Sequence, residues 1–185
     1  MRLPNAYIRK WNKITDEETE ALDAWWRGDL WFPISTYLRG YRKTLSKADR
    51  RGLAVLDDLT TRWPIGTPGR VYRAARTPLL RVGETFRDLN FMSVALHFVF
   101  AASVFTDPGH TWRHSTAKTG FTVPTVFTLL LPAHQTAACT VCVVGGFEEG
   151  EAEILLPRGI VWDIRQVTRS HTRKQTLVTA TPQPH

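Results

Sequence analysis

The stretch that decides how this chain is read is Gly145-Gly146-Phe147-Glu148-Glu149-Gly150-Glu151-Ala152-Glu153-Ile154-Leu155-Leu156-Pro157-Arg158-Gly159. From Glu151 to Leu156 it reads as a strand, stopped by Pro157 and Gly159. Glu151 and Glu153 lie two apart, so on a strand their side chains share a face. Like charges on one face cost free energy and raise one of the two pKa values. A purely structural strand rarely makes that choice beside the apolar run Ile154-Leu155-Leu156. The glycines from Gly145 to Gly150 let the backbone turn tightly just before the pair. Two readings stand at this point. The carboxylates form a solvated edge-strand face, or they divide chemical labour. In the second case one stabilises developing positive charge, and the other orients or deprotonates a nucleophile.

Two earlier pieces bear on that choice. Val71-Tyr72-Arg73 falls on an extended run, and Asn90-Phe91-Met92-Ser93 follows it. A guanidinium is permanently charged and matches phosphate oxygens bidentately, which suits Arg73 to a phosphate ligand. A serine hydroxyl such as that of Ser93 can donate a hydrogen bond that fixes a carboxylate. Taken singly, each has a plainer reading: Arg73 as a surface ion pair, Ser93 as a satisfied hydroxyl at the core edge. Together, a phosphate-holding Arg, an orienting Ser and a Glu pair suit substitution at a sugar carbon bearing a cationic leaving group.

Around these pieces the chain changes character near residue 65. Before it, helical signals dominate. Thr15 and Glu18 make a capping box, and the helix that follows carries Leu22, Trp25 and Trp26 toward a core. Ser46 followed by Asp49 marks a second start. Leu53, Leu56, Leu59 and Trp63 recur as on one helix face until Pro64 stops the run. After Pro68-Gly69, extended runs at 70–76, 122–131, 139–144, 151–156, 160–167 and 175–180 are rich in Val, Ile, Thr and Phe. Leu96 to Phe105 is apolar on all sides and reads as a buried helix. Helices first and strands afterwards indicate an α+β fold. The expected organisation is a single domain over 1–185, with a helical lead-in at 1–64, a β core at 65–180 and a frayed tail at 181–185.

Composition sets the outer bounds. The chain has 185 residues, 43% hydrophobic and 22% charged, so wholesale disorder is excluded as a class. A net charge of +7 favours an acidic partner: a phosphate ligand, nucleic acid or an acidic protein surface. Two cysteines exclude a disulfide-dense scaffold. The first residues lack the apolar core of a signal peptide, and the apolar run Phe91–Phe105 is too short to span a bilayer. No membrane partner is expected, and the expected location is the cytosol of a host or target cell.

The ordered set Tyr72-Arg73, Phe91-x-Ser93 and Glu151-x-Glu153, followed by Ile-Leu-Leu-Pro-Arg-Gly, resembles the arginine–serine–glutamate class of mono-ADP-ribosyltransferases. That class includes bacterial toxins and phage enzymes. The resemblance covers residues 65–180, and the glutamate segment is its specific part. It implies a mixed β-sandwich of two small sheets after the helical lead-in. It also implies NAD as cosubstrate, no metal, and a target protein as acceptor. Arg73, with Tyr72 beside it, is implied to bind the phosphate and ribose side of NAD, and Ser93 to position Glu153. Glu153 is implied to bind the nicotinamide-ribose 2′-hydroxyl and to stabilise an oxocarbenium-like transition state. Glu151 would engage the nucleophile, and in this class a first Glu, rather than Gln, goes most often with arginine targets. Phe147 would contact the target, Phe105 would stack on nicotinamide, and Arg113 would add a second phosphate contact. Two departures stand out. The class usually has Ser-Thr-Ser where this chain has Ser93-Val94-Ala95, and a Gly where it has Asn90, a residue that tolerates positive φ better than most.

The remaining motifs carry plainer readings. Cys139-Thr-Val-Cys142 is half a zinc-site spacing in a β-like run and reads as buried structure. His110 and His114 lack an acidic ligand that would complete a helical zinc motif. The cluster Arg39, Arg42, Lys43, Lys47, Arg50 and Arg51 reads as a solvated face, with docking to an acidic partner or nucleic acid as its functional alternative. Three hypotheses therefore compete: transfer of ADP-ribose to a protein arginine; the same chemistry on a nucleic acid or a small guanidino compound; and an inactive NAD- or partner-binding module on the same scaffold.

Overall fold

The computed structural model describes residues 14–66, 68–103, 122–136, 138–139, 153–170, 172 and 174–183, with backbone alone at 100, 138, 139 and 153. Their elements run in the order α1 (Asp16–Trp26), α2 (Trp31–Leu38), α3 (Lys47–Arg62), β1 (Gly69–Thr77), β2 (Thr85–Arg87), β3 (Met92–Ala95), α4 (Phe98–Ser103), β4 (Val123–Leu131), β5 (Ala138–Cys139), β6 (Glu153–Leu156), β7 (Val161–Ser170) and β8 (Gln175–Pro182). The class is α+β, as the change of pattern near residue 65 indicates. These elements form two compact units. The first takes its residues from Met1–Thr67, Asp88–Ser93 and Ala133–Gly159, the second from Pro68–Arg87, Val94–Pro132 and Ile160–His185.

In the first unit the helix starts follow local chemistry. Glu18 N–H donates to Thr15 Oγ1 at 3.2 Å, and Thr15 N–H donates to Glu18 Oε2 at 2.7 Å, so the expected capping box closes. Ser46 and Asp49 close a second box at the start of α3. Glu18 also lies 2.6 Å from Arg62, which ties the start of α1 to the end of α3. The apolar faces of the helices meet in one cluster: Ala21, Leu22, Trp25, Ile34, Leu56 and Leu59, joined by Phe91 and Leu155. Trp26 departs from expectation. It is 46% exposed, because adjacent helical positions differ by about 100° and Trp25 already takes the inward direction.

The second unit is a mixed sheet with strand order β2-β7-β8-β4-β1-β3, in which β3 contributes its last residues. β1 pairs antiparallel with β4 from Gly69↔Leu131 to Thr77↔Val123. β4 pairs parallel with β8, and β8 pairs antiparallel with β7. Phe86 lies between two further rings: its centroid is 4.8 Å from that of Phe127, with the planes tilted at 41°, and 6.1 Å from that of Trp162, on which it stacks. Gln175 fixes α4, donating from Nε2 to the Ala102 carbonyl at 3.1 Å. The expected all-round burial of the α4 segment is not what forms: Ala101 and Ala102 are buried, but Val99 is 73% exposed. A six-residue helix lying on a sheet has only one side to bury. β8 also continues through Pro182, and Gln183 N–H donates to the Val161 carbonyl at 2.8 Å, so the C-terminal residues up to 183 are paired rather than frayed.

Candidate functional site

Ser93 lies on β3 and Glu153 is the first residue of β6, and both belong to the first unit. Strands of four residues have little ladder of their own, so their placement depends on what packs beneath them. Phe91, two residues before Ser93, and Leu155, two residues after Glu153, enter the same buried cluster as Trp25. A backbone bond adds to this: Gly159 N–H donates to the Asp88 carbonyl at 2.9 Å. The chain leaving β6 is thereby fastened to the chain approaching β3.

The segment after Glu153 is built to hold that strand. Ile154, Leu155 and Leu156 are all buried, so β6 is covered on both faces. Arg158 grips Asp57 of α3 with two bonds, from Nε at 2.6 Å and from a terminal nitrogen at 2.8 Å. That hydrogen bonding holds the Arg158 guanidinium above its ordinary pKa, against the opposing effect of partial burial. Gly159 adopts φ +78°, a conformation that favours glycine, as the chain turns toward the Asp88 carbonyl. The apolar triplet, the arginine and the glycine of the sequence motif thus each have a structural task.

The approach to Ser93 is equally constrained. Asn90 N–H donates to Asp88 Oδ1 at 3.1 Å, an Asx-type turn. Asn90 is buried, and its Nδ2 donates to Ser35 Oγ on α2. Its φ is not positive, so its tolerance of the left-handed region is not used. The amide side chain instead makes a contact that glycine has no atoms to make. Ser93 itself is partly buried, and its Oγ accepts a hydrogen bond from Trp25 Nε1 at 3.4 Å.

Arg73 and Tyr72 lie in the second unit, on β1. Arg73 is partly buried and stands opposite Phe127 in the β1–β4 register. Successive strand residues alternate faces, so Arg73 and Tyr72 point to opposite sides of the sheet. Tyr72 packs edge-on against Phe98 at 5.6 Å, beside Ala95, Ala101, Ala102 and Val126. A partly buried guanidinium on a rigid strand is chemically fitted to anionic phosphate oxygens. Glu151, Phe147, Phe105 and Arg113 lie outside the described residues, as do Cys142, His110 and His114. Of the basic lead-in cluster, Arg39, Arg42 and Arg51 lie 4.0, 3.9 and 2.6 Å from Asp88, Asp49 and Glu17. Those pairs favour the reading of a solvated, salt-bridged face. No helix among the described residues is long and apolar enough to cross a membrane.

Nothing in the sequence pattern marks Trp25, Ser35 or Asp88 as functional. Trp25 and Ser93 are 68 positions apart, and nothing local marks them as partners.

Comparison with known proteins agrees with this fold. The family model described as ADP-ribosyltransferase exoenzyme matches residues 4–183. No match was found among curated proteins. Among solved structures, the chain is similar to the C3larvin toxin, an ADP-ribosyltransferase from Paenibacillus larvae, with TM-score 0.68 and 17% identity over 100% of this chain and 96% of that one. It is similar to C3stau2 from S. aureus, solved with NAD, with TM-score 0.69 and 18% identity over 99% and 93%. It is also similar to the Vis toxin, an ADP-ribosyltransferase from Vibrio splendidus, with TM-score 0.68 and 17% identity over 94% and 76%.

Proposed function

The chain belongs to the ADP-ribosyltransferase exoenzyme family and is an NAD-dependent mono-ADP-ribosyltransferase; from that premise we propose that it modifies arginine on a target protein, acting as one domain over residues 1–185. The observation that carries the site assignment is the shared anchoring of the strands bearing Ser93 and Glu153, through Phe91, Leu155 and the Gly159–Asp88 bond. Two groups that must act on one sugar need that kind of common footing.

In this reading Arg73 binds the phosphates of NAD, with Tyr72 supporting its strand. Phe105 stacks on nicotinamide, and Arg113 adds a phosphate contact. Ser93 donates a hydrogen bond to Glu153. The Glu153 carboxylate binds the ribose 2′-hydroxyl and stabilises the positive charge that develops as the C1′–nitrogen bond breaks. The electron pair of that bond leaves with nicotinamide, which departs neutral. The acceptor guanidinium loses a proton to Glu151, and its nitrogen forms the new bond to C1′. Protonated guanidinium has no lone pair to offer, so a carboxylate beside it has a defined use. Phe147 contacts the acceptor protein. No step draws on a bound metal.

Support for arginine comes from the residue type at 151, a glutamate. The Vis toxin has been crystallised with agmatine, a guanidino compound. The net charge of +7 favours a second acceptor class, nucleic acid, through phosphate attraction. Glu151→Ala separates the steps. It is expected to lower transfer to agmatine or protein arginine by roughly 100-fold or more, while nicotinamide release falls by less than about tenfold. Equal losses in both reactions contradict the role given to Glu151. Labelling of RNA or DNA in place of protein, in a mixture of both, overturns the protein acceptor.

A further inference from the structure

The helical lead-in reaches Ser93 itself through a hydrogen bond from Trp25. We propose that Trp25 is a positioning residue: its indole N–H holds the Ser93 hydroxyl so that Ser93 acts as a hydrogen-bond donor. The inference rests on the role given above to Ser93. An indole Nε1–H donates and never accepts, whereas a serine hydroxyl has one donor and two acceptor lone pairs. The contact from Trp25 Nε1 to Ser93 Oγ, at 3.4 Å, therefore fills an acceptor position of Ser93. A donor in that position repels the hydroxyl proton, so the Ser93 O–H is directed to an acceptor on another side, the role a carboxylate partner fills.

The indole is well held for that task. Trp25 is 3% exposed in the cluster formed by α1, α2 and α3. Its ring packs edge-on against Phe91, with centroids 5.3 Å apart and planes at 83°. Phe91 precedes Ser93 by two residues, so the same short segment receives the ring's packing and its donor. A phenylalanine would meet the packing requirement. Only the indole adds a directed N–H. The expectation that Trp25 is core is met, and the ring has a second use.

The test compares the full chain with Trp25→Phe, Ser93→Ala and the double variant, measuring kcat and KM for nicotinamide release and urea unfolding. Trp25→Phe is expected to lower kcat by roughly three- to tenfold, the rate equivalent of one ordinary hydrogen bond, with KM for NAD within about twofold. The acidic limb of kcat should move to higher pH, because a carboxylate that loses a donated hydrogen bond protonates more readily. In the Ser93→Ala background the same change should leave kcat unaltered. An unchanged kcat in Trp25→Phe, or an equal further loss in the Ser93→Ala background, overturns the inference. If Ser93→Ala loses activity and Trp25→Phe does not, only this inference falls. If Ser93→Ala retains full activity, the role of Ser93 falls as well. Should Trp25→Phe fail to fold, the Trp25 indole N–H resonance, assigned through its contacts with Phe91, gives the second readout. It is expected to move in Ser93→Ala, and an unmoved resonance overturns the proposal.

Discussion

Arg73 occupies the middle of a nine-residue strand, opposite Phe127, with four further register pairs on either side. Ser93 and Glu153 occupy strands of four residues each, and those strands are steadied from below by Trp25, Phe91, Leu155 and the Arg158–Asp57 pair. The first arrangement is maintained by backbone hydrogen bonds that hardly depend on side-chain identity. The second is maintained by particular side chains, some on or beside the strands themselves, as Phe91, Leu155 and Arg158 are, and some from helices remote in sequence, as Trp25 and Asp57 are. The roles proposed for them suit this difference: phosphate binding by Arg73 asks for charge at a fixed place, whereas donation by Ser93 asks for a hydroxyl proton presented in one direction.

Matched core truncations sharpen the contrast most. Leu155 and Leu129 are both fully buried, one on β6 and the other on β4 between β1 and β8. Leu→Ala at either site is expected to cost about 2–5 kcal/mol in urea unfolding. Activity should then separate them. Per folded molecule, Leu155→Ala loses nicotinamide release about tenfold or more, because the strand bearing Glu153 loses its anchor, while Leu129→Ala stays within about threefold. Equal losses per folded molecule break the comparison.

Arg73→Lys comes next. The ladder keeps the position, and the ammonium keeps the charge but not the bidentate fork. KM for NAD is expected to rise by roughly tenfold, with unfolding changed by less than about 0.5 kcal/mol. A large stability loss with KM unchanged argues for a structural Arg73. Arg158→Ala is the smallest effect. Its pair with Asp57 is substantially exposed, at 41% and 35%, and solvent screening limits its worth to about 0.2–1 kcal/mol. Raised salt should reduce the difference between Arg158→Ala and wild type. A salt-independent loss instead points to packing by the arginine stem.

Much of the architecture was legible because it is set locally. The boxes at Thr15–Glu18 and Ser46–Asp49 are short-range chemistry, and both form where the residue types place them. The long strands β1, β4, β7 and β8 were legible from their β-branched and aromatic content. The short elements were not. β2, β3 and α2 have no periodicity of their own, and their conformation is set by partners such as Trp162 for β2 and Asn90 for the Ser35 turn of α2. Trp26 departs from the pattern because the aromatic pair at 25–26 is doubly apolar, although a helix can direct only one of the two inward. Of the candidate site, Arg73, Ser93 and Glu153 are legible as residue types in order. The groups that anchor the strands of Ser93 and Glu153 are not: Trp25, Ser35, Asp57 and Asp88 reach their partners only through tertiary structure.

The most direct measurement incubates the purified chain, and separately Glu153→Gln, with NAD labelled in its adenylate part and a bacterial lysate, and follows both protein labelling and nicotinamide release. The account predicts discrete labelled protein bands and released nicotinamide with the wild type, and a loss of both by roughly 1,000-fold in a Glu153→Gln chain that unfolds as the wild type does. Neither labelling nor nicotinamide release from the folded wild type, or full activity in Glu153→Gln, would contradict it.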